Sequence, residues 1–260
     1  MPIAFLRSVI FQIASYIALI VYVPVMLIGW LIPAKRRYYV MFSYGFTVMW
    51  LARLIVGLRW QVEGLHNLPK PSAGQGRLIA AKHQSTWDSM ILPTLLNQPA
   101  FILKKELLWI PIFGTGLAGM GPIAIDRKAG SKALKIIIKE GKAQLAAGRD
   151  VIIFPEGTRY RPDANPEYKI GAAMLAIQAH TEVTPIAINS GCHWPKGQFI
   201  KSAGTIHVVI GPPIAVTGKR ADRLTEEIEH WIETEQHKLY AQYGCKSAPK
   251  LNAKANPNLS

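Results

Sequence analysis

Only two cysteines, Cys192 and Cys245, occur in the 260 residues of this chain. Neither belongs to a Cys-x-x-Cys pair, and neither stands at zinc-ligand spacing from further thiols or imidazoles. Cys192 is followed by His193, but additional ligands are missing around this pair. The cysteine pattern argues against a disulfide framework, predicts no metal site, and favours a reducing compartment.

Acidic residues are absent from the first 60 positions, whereas the whole chain has 30 basic and 16 acidic residues and a formal net charge of +14. Such an excess favours anionic partners, which include nucleic acid, an anionic membrane surface and phosphorylated substrates. The N-terminal basic residues are mixed with long apolar runs, and no nucleic-acid-binding module is recognisable. The composition therefore favours a membrane surface and predicts no nucleic-acid partner.

Charged residues are also absent from Ser8 to Ile32, a run of 25 residues. As a helix this run would be roughly 37 Å long, against about 30 Å of bilayer hydrocarbon. Basic residues 35–37 follow it as in a stop-transfer segment rather than a cleaved signal peptide. A second run, Tyr38–Ala52, has 15 residues and is too short to span comfortably. Residues 1–60 are therefore predicted to be membrane-anchoring helices, arranged as a single span or as a hairpin that lies in one leaflet.

Short apolar runs and helical patterns alternate after this segment. The runs of strand length are Leu78–Ala81, Ala100–Leu103, Pro122–Ile125, Val151–Phe154, Val183–Ile188 and Thr205–Ile210. Helical patterns occur in three places: after Ser131, which is a potential N-cap, at Ala172–Ala179, and between residues 224 and 239. The alternation predicts an α/β domain at residues 61–244 with a mixed, largely parallel sheet. Residues 245–260 are polar and are predicted to be a disordered tail.

His83 and Asp88 follow the first strand-like run and are separated by four residues. An imidazole with an ordinary pKa near 6.5 accepts a proton at neutral pH. A carboxylate can hold one ring nitrogen and stabilise the imidazolium, as in a Ser-His-Asp triad. With a substrate hydroxyl in place of the serine, the pattern indicates His83 as a general base and Asp88 as its partner. The competing interpretation is a surface histidine near an unrelated aspartate.

A second polar cluster, Glu156-Gly157-Thr158-Arg159, follows the run that ends at Phe154. The planar guanidinium of Arg159 suits a phosphate group. Gly157 permits close approach of a ligand to the backbone, and Glu156 could orient Arg159 or a neighbouring base. This cluster predicts a phosphate-binding turn.

Arg127 and Lys105 each follow a strand-like run and could add cations to the same site, although a solvated surface charge is an alternative for both. The segment Ile110–Gly121 is apolar and rich in glycine. It could line a groove for an alkyl chain or pack tightly in the core, and its periodicity does not separate these possibilities.

Four blocks, His83–Asp88, Gly121–Arg127, Phe154–Arg159 and Val183–Ile188, resemble, in the same order, the four sequence blocks of the glycerolipid acyltransferases, in particular bacterial members that act on lysophosphatidate. The resemblance covers roughly residues 60–215. Ala124 departs from the family pattern, in which a bulky aromatic residue is frequent at this position, so details of the acyl pocket are not carried over.

The resemblance implies a glycerolipid-acyltransferase-like αβ domain preceded by a membrane-attached helical hairpin. It implies transfer of a fatty acyl group from acyl-CoA or acyl-carrier protein to the sn-2 hydroxyl of 1-acyl-sn-glycerol 3-phosphate, without a cofactor, in phospholipid biosynthesis. The implied catalytic residues are His83 and Asp88, and the substrate-binding residues are Lys105, Arg127, Glu156, Gly157, Thr158 and Arg159. The expected location is a bacterial inner membrane, with the domain on the cytosolic face and membrane lipid as a further partner.

Three other functions remain open at this point. An acyltransferase could use another lyso-lipid, such as lyso-ornithine lipid. A thioesterase would release free fatty acid without an acceptor. A non-catalytic membrane protein that binds anionic lipid would leave His83 and Asp88 unused. The acyl donor, the preferred chain length and the oligomeric state are likewise undetermined.

Overall fold

Two antiparallel helices form the N-terminal part of the computed structural model, which describes residues 2–70 and 74–245. Helix α1 is Pro2–Gly29, and helix α2 is Ala34–Leu51. A π-helical turn, Ala52–Val56, prolongs α2 and ends at Gly57, whose φ of 85° is in the left-handed region. Glycine adopts this conformation without the steric cost of a Cβ atom. The two N-terminal helices fit a membrane-attached hairpin.

The second helical segment is longer than the sequence indicated. It continues without interruption from Ala34 to Val56, which is 23 residues rather than 15, or roughly 34 Å. The expectation that it is too short to cross a membrane is wrong, because both N-terminal helices are long and apolar enough by length and composition. The helix was expected to be too short because a helix can continue past the charged residues on either side of an apolar run.

In the part of the chain that the structure describes, seven strands form one sheet with the order β1-β7-β6-β2-β5-β3-β4. The strands are β1 Leu58–Glu63, β2 Leu78–Ala81, β3 Ala100–Lys104, β4 Ile123–Ile125, β5 Val151–Ile153, β6 Val183–Ile188 and β7 Gly204–Ile210. All neighbours are parallel except β6 and β7. The predicted mixed, largely parallel sheet is confirmed. Strand β1 was not predicted, and it crosses the boundary placed between residues 60 and 61.

Within the described residues, four further α-helices connect the strands and a fifth follows the last strand. They are α3 Asp88–Leu95, α4 Phe113–Gly119, α5 Ser131–Ala146, α6 Gly171–Ala179 and α7 Ala221–Tyr243. Helices α3 and α4 had no counterpart in the sequence interpretation. Ser131 is the first helical residue of α5 and not its cap, since Gly130 occupies the N-cap position without a side-chain hydrogen bond.

The hydrophobic core lies on both faces of the sheet. Alternate strand residues point to opposite faces, so Ile79 of β2 packs with Phe11 and Trp87 on the side of α1, α2 and α3. Leu78 of the same strand packs on the other side with Leu175 and Ile228 from α6 and α7. The N-terminal hairpin is therefore built into one side of the α/β domain and is not a separate appendage.

The two cysteines form a disulfide bond across a sequence separation of 53 residues, with their Cα atoms 5.1 Å apart. The sequence-based argument against a disulfide is wrong at this point. Helix α7 runs back along the sheet and brings Cys245 to the turn after β6 that contains Cys192, and spacing in the sequence cannot show such a return. The rest of the predicted tail, residues 246–260, lies outside the described residues.

Candidate active site

The polar residues singled out from the sequence meet at one edge of the sheet. Strands β2 to β6 are mutually parallel, so their carboxyl ends share this edge. His83 follows β2, Phe154 follows β5, Lys104 ends β3, and Arg127 follows β4. Ligands of open α/β sheets bind outside the carboxyl ends of the strands, which makes this edge the candidate active site.

His83 and Asp88 are in direct contact. The Nδ1 atom of His83 lies 3.1 Å from Oδ2 of Asp88. The same oxygen accepts the backbone N–H groups of Gln84 at 2.7 Å and Ser85 at 2.8 Å. Asp88 is fully buried at the start of α3. The carboxylate therefore has a fixed position and holds Nδ1, which leaves Nε2 as the nitrogen available to a substrate.

The imidazole of His83 is shielded from water on one side. Its ring stacks on the ring of Phe154, with centroids 3.7 Å apart. Burial lowers the pKa of His83 below its ordinary value, although the hydrogen bond with Asp88 acts in the opposite direction. A lowered pKa keeps the imidazole neutral, and thus able to accept a proton, at neutral pH.

His83 opens into a cavity of about 510 Å³. Its polar lining includes His83, Thr86, Ser89, Lys104, Thr158 and two arginines, Arg127 and Arg159. The rest of the wall is mostly apolar and comes from the hairpin, from β3 and from α4, including Met26, Met41, Phe42, Phe101, Phe113 and Leu117. The cavity thus combines a base, several cations and a hydrophobic surface.

The two arginines of the cavity form no ion pair with a carboxylate within residues 2–70 and 74–245. Arg159 donates a hydrogen bond to the hydroxyl of Thr86. Burial, and then the charge of Arg159, lower the pKa of Arg127. Two guanidinium groups that repel each other in a partly buried cavity favour an anionic ligand between or beside them.

Glu156 does not line the cavity but lies behind His83. It is only 2% exposed, and its Oε1 accepts the backbone N–H of His83 at 3.0 Å. The side chain is therefore in a position to orient the base, and the structure gives it no access to a substrate phosphate.

The other predicted binding residues have different positions. Gly157 has a φ of 73°, and its N–H donates to the carbonyl of Phe154 at 2.9 Å, so it shapes the turn that presents Thr158 and Arg159. Lys105 forms an ion pair with Asp126 at 2.7 Å and is not part of the cavity lining. Its neighbour Lys104 is part of it.

Several residues of the site were missed by the sequence interpretation. The hairpin was interpreted as an anchor only, yet Met26 of α1 and Met41 of α2 line the cavity. The segment Ile110–Gly121 contributes Phe113, Gly116 and Leu117 of α4 to the wall. This position agrees with the interpretation in which the segment lines a groove for an alkyl chain. No signal in the sequence separates these positions from ordinary helix packing, because both use apolar residues at helical spacing.

Comparison with known proteins adds a separate line of evidence. Residues 59–189 match the family model described as Acyltransferase. The chain is 38% identical over 206 residues to the 1-acyl-sn-glycerol-3-phosphate acyltransferase of Pseudomonas aeruginosa, covering 78% of this chain and 79% of that protein. It is 30% identical over 189 residues to the alpha form of the enzyme of that name from Mus musculus, covering 70% of this chain and 65% of that protein.

The fold is also similar to a solved structure. The crystal structure of the 1-acyl-sn-glycerophosphate acyltransferase from Thermotoga maritima superposes with a TM-score of 0.73 at 23% sequence identity. The match covers 92% of this chain and 98% of that chain. The similarity therefore includes the N-terminal helices as well as the sheet.

Proposed function

Since this chain belongs to the acyltransferase family, we propose that it moves a fatty acyl group from a thioester donor to the sn-2 hydroxyl of 1-acyl-sn-glycerol 3-phosphate. The family resemblance inferred from the four sequence blocks is confirmed by the family match. The observation that carries the proposed reaction is that His83, Arg127 and Arg159 open into one cavity whose remaining wall is largely apolar. The product is phosphatidate.

His83 acts as the general base of this reaction. Asp88 accepts the Nδ1–H of the imidazole, so Nε2 takes the proton of the acceptor hydroxyl as its oxygen attacks the thioester carbonyl carbon. A carbon–oxygen bond forms, the carbon–sulfur bond breaks, and the imidazolium returns the proton to the leaving thiolate. The geometry of His83 and Asp88 supports this assignment because the carboxylate is fixed by two backbone N–H groups.

Arg159 and Arg127 bind the phosphate of the acceptor. Their guanidinium groups offer planar, charge-assisted hydrogen bonds, and Thr158 and Lys104 lie in the same lining. The phosphate is thereby held near His83, which orients the hydroxyl toward the base and lowers the entropic cost of the reaction. A neutral acceptor headgroup would leave these charges without a partner.

The apolar wall of the cavity accommodates a fatty acyl chain. Met26 and Met41 from the hairpin and Leu117 from α4 belong to this wall. Methionine is flexible enough to fill irregular space beside a chain. Since the hairpin forms part of the wall, the same helices would attach the enzyme to the membrane and complete its substrate site.

Helix α1 has two contrasting faces. Its exposed apolar residues recur every three or four positions and include Ile3, Leu6, Ile10, Ile13, Ile17 and Ile20. The opposite face packs on the catalytic domain: the Ser8 hydroxyl accepts the N–H of Lys201 at 2.9 Å, and Met26 reaches Gly116 of α4. These contacts extend over 18 residues, or roughly 27 Å.

Lipid cannot surround α1 at these two positions, because protein covers one side of the helix there. We therefore favour a hairpin whose exposed face lies in one leaflet over a hairpin that crosses the bilayer twice. Acyl thioesters are cytosolic, so the catalytic domain and residues 35–37 would both be on the cytosolic side, in agreement with the positive-inside rule. For a bacterial enzyme this is the inner membrane.

An assay with purified protein tests the proposed function. Acyl-CoA and acyl-carrier protein are offered separately as donors, and lysophosphatidate is compared with lyso-ornithine lipid and with no acceptor. We expect phosphatidate with lysophosphatidate and with at least one donor, and no product from the His83→Ala variant. Preference for lyso-ornithine lipid would change the acceptor. Release of free fatty acid without an acceptor would indicate a thioesterase, and the absence of any turnover would favour a lipid-binding protein.

A further inference from the structure

A buried cluster of charges lies behind His83, on the side away from the cavity. The Lys82 side chain is almost completely buried, and its ammonium contacts the carboxylate of Glu233 on α7. The same ammonium lies 3.5 Å from Oε1 of Glu156 and 5.6 Å from the centre of the Tyr168 ring. The Tyr168 hydroxyl donates to Oε1 of Glu233 at 2.8 Å. One cation is thus shared by two carboxylates, of which that of Glu156 is buried and that of Glu233 is partly exposed.

The cluster is connected to the proposed base through one backbone group. Oε1 of Glu156, the oxygen nearest Lys82, also accepts the backbone N–H of His83. A bond to an ionised carboxylate is about twice as strong as a bond between neutral groups. The charge of Glu156 therefore affects how firmly the His83 backbone is held, and Lys82 and Glu233 affect that charge.

Helix α7 contacts the segment 82–88 at a second point on the same face. Tyr240, seven residues after Glu233, contacts the side-chain amide of Gln84 through its hydroxyl. Between them, Gln236 accepts the backbone N–H of Ile188 at 3.2 Å. Positions separated by three, four and seven residues share one face of a helix. The sequence pattern of α7 indicates only an amphipathic packing helix, whereas its buried face carries polar groups directed at the segment that contains His83.

We propose that Glu233 acts on acyl transfer through Lys82 and Glu156: the three residues together set the charge of the carboxylate that holds the backbone of His83 where the imidazole can reach the acceptor hydroxyl. The inference deepens the proposed function, because it rests on the role of His83 as the base. None of the three residues of this relay lines the cavity, so they act on the rate of the bound complex and not on substrate contacts.

The relay predicts a specific dependence on pH. Burial raises the pKa of Glu156 to about 7, while Lys82 opposes the increase and Glu233 adds to it. The ionisable or phenolic groups around this carboxyl are Lys82, His83, Tyr168, Glu229, Glu233 and Tyr240. Since the ionised form holds His83 more firmly, kcat should fall as the pH decreases through about 7.

Substitutions of Lys82 and Glu233 should have opposite effects on the midpoint, which is the pH at which kcat has fallen by half. Lys82→Met removes the ammonium that favours the ionised form, so the fall in kcat should occur at higher pH. Glu233→Gln removes a negative charge, so the fall should occur at lower pH. Glu156→Gln has no carboxyl group to titrate, and only the titration of His83, whose pKa is below its ordinary value, should remain.

The experiment measures kcat and KM between pH 5.5 and 9 with the purified full chain, a long-chain acyl-CoA and lysophosphatidate. Glu226→Gln is the matched control, because Glu226 is on the same helix but forms only an exposed ion pair with Arg223. At high pH we expect kcat of Glu156→Gln to be about tenfold lower, the scale of one charge-assisted hydrogen bond, with little change in either KM. A purely structural role would lower the melting temperature and leave the midpoints unchanged.

Equal midpoints in wild type, Lys82→Met and Glu233→Gln, or shifts in one common direction, would overturn the relay. Lys82→Met leaves the buried carboxylate of Glu156 without its cation and can fail to fold. In that case the test depends on the other two variants. The relay requires that the fall in kcat occurs at lower pH in Glu233→Gln and that the step due to Glu156 is absent in Glu156→Gln. An inactive wild type would contradict the proposed function itself, whereas an active wild type with unresponsive variants would contradict only the relay.

Discussion

The ring of His83 lies flat against the ring of Phe154, with an angle of 12° between their planes. Phe154 stands directly before Pro155 and Glu156 at the end of β5, so one short segment touches the base in two ways. Its aromatic ring covers a face of the imidazole, and its carboxylate holds the His83 backbone. The rotation of the imidazole is thereby restricted by Phe154 and by Asp88.

Phe154→Leu should lower kcat by roughly tenfold, which corresponds to about 1.4 kcal/mol, because leucine cannot replace the flat stacking surface. The KM for the acceptor should change little. A matched control is Tyr243→Leu, since Tyr243 stacks on His207 at 3.5 Å away from the cavity. Equal kinetic losses in the two variants would show that the stacking contributes only to stability.

His83→Ala should abolish acyl transfer while the protein still folds, and a general base contributes typically about 10²–10⁴-fold to the rate. Asp88→Asn should also reduce kcat, because an amide cannot stabilise the imidazolium and can select the wrong tautomer. Product formation is measured together with the melting temperature. Turnover close to wild type in a well-folded His83→Ala variant would eliminate the proposed mechanism.

Arg159→Ala should lower kcat/KM for the phosphorylated acceptor by roughly tenfold to a hundredfold, since a charge-assisted contact contributes about 1.5–3 kcal/mol. The acyl donor should be affected less. Arg161→Ala is the matched control, because Arg161 is exposed and faces Asp163 at 3.7 Å. Steady-state kinetics with each substrate varied separately distinguish the two sites. An effect confined to the KM of the donor would assign Arg159 to the donor's phosphate groups instead.

The proposed one-leaflet hairpin predicts the location of the turn between α1 and α2. A cysteine at Ala34, in a background with Cys192 and Cys245 replaced by serine, should not react with an impermeant maleimide added to intact cells. The same position should react after lysis and with a permeant maleimide, since Ala34 is exposed. Labelling of intact cells that contain active enzyme would demonstrate two transmembrane crossings.

Reduction of the Cys192–Cys245 disulfide should lower the stability of the oxidised, purified protein. The bond closes a loop of 53 residues, and the chain-entropy description gives about 4 kcal/mol for such a loop. Thermal unfolding with and without a reducing agent measures the difference, and Cys192→Ser should be insensitive to it. Identical melting temperatures in the two conditions would mean that the thiols are not bonded in solution.

The sequence by itself determined the fold class and the family. Strands β2 and β6 were predicted at their observed bounds, because a strand that is buried on both faces requires a mostly apolar run. His83 and Asp88 were recognised together because their contact spans one local turn. Local periodicity and short-range spacing are enough to predict single strands and a contact within one turn.

Only the tertiary structure decided which residues share the site. The hairpin lines the cavity, Glu156 faces the protein interior, Lys104 takes the place expected for Lys105, and Cys245 meets Cys192. Each of these relationships joins residues far apart in sequence or depends on which way a side chain points at the end of a strand. Glu233 illustrates the reason most clearly: its carboxylate reaches Lys82 across 151 positions. The helical pattern alone does not distinguish a glutamate whose carboxylate pairs with a buried lysine from one that is directed into water.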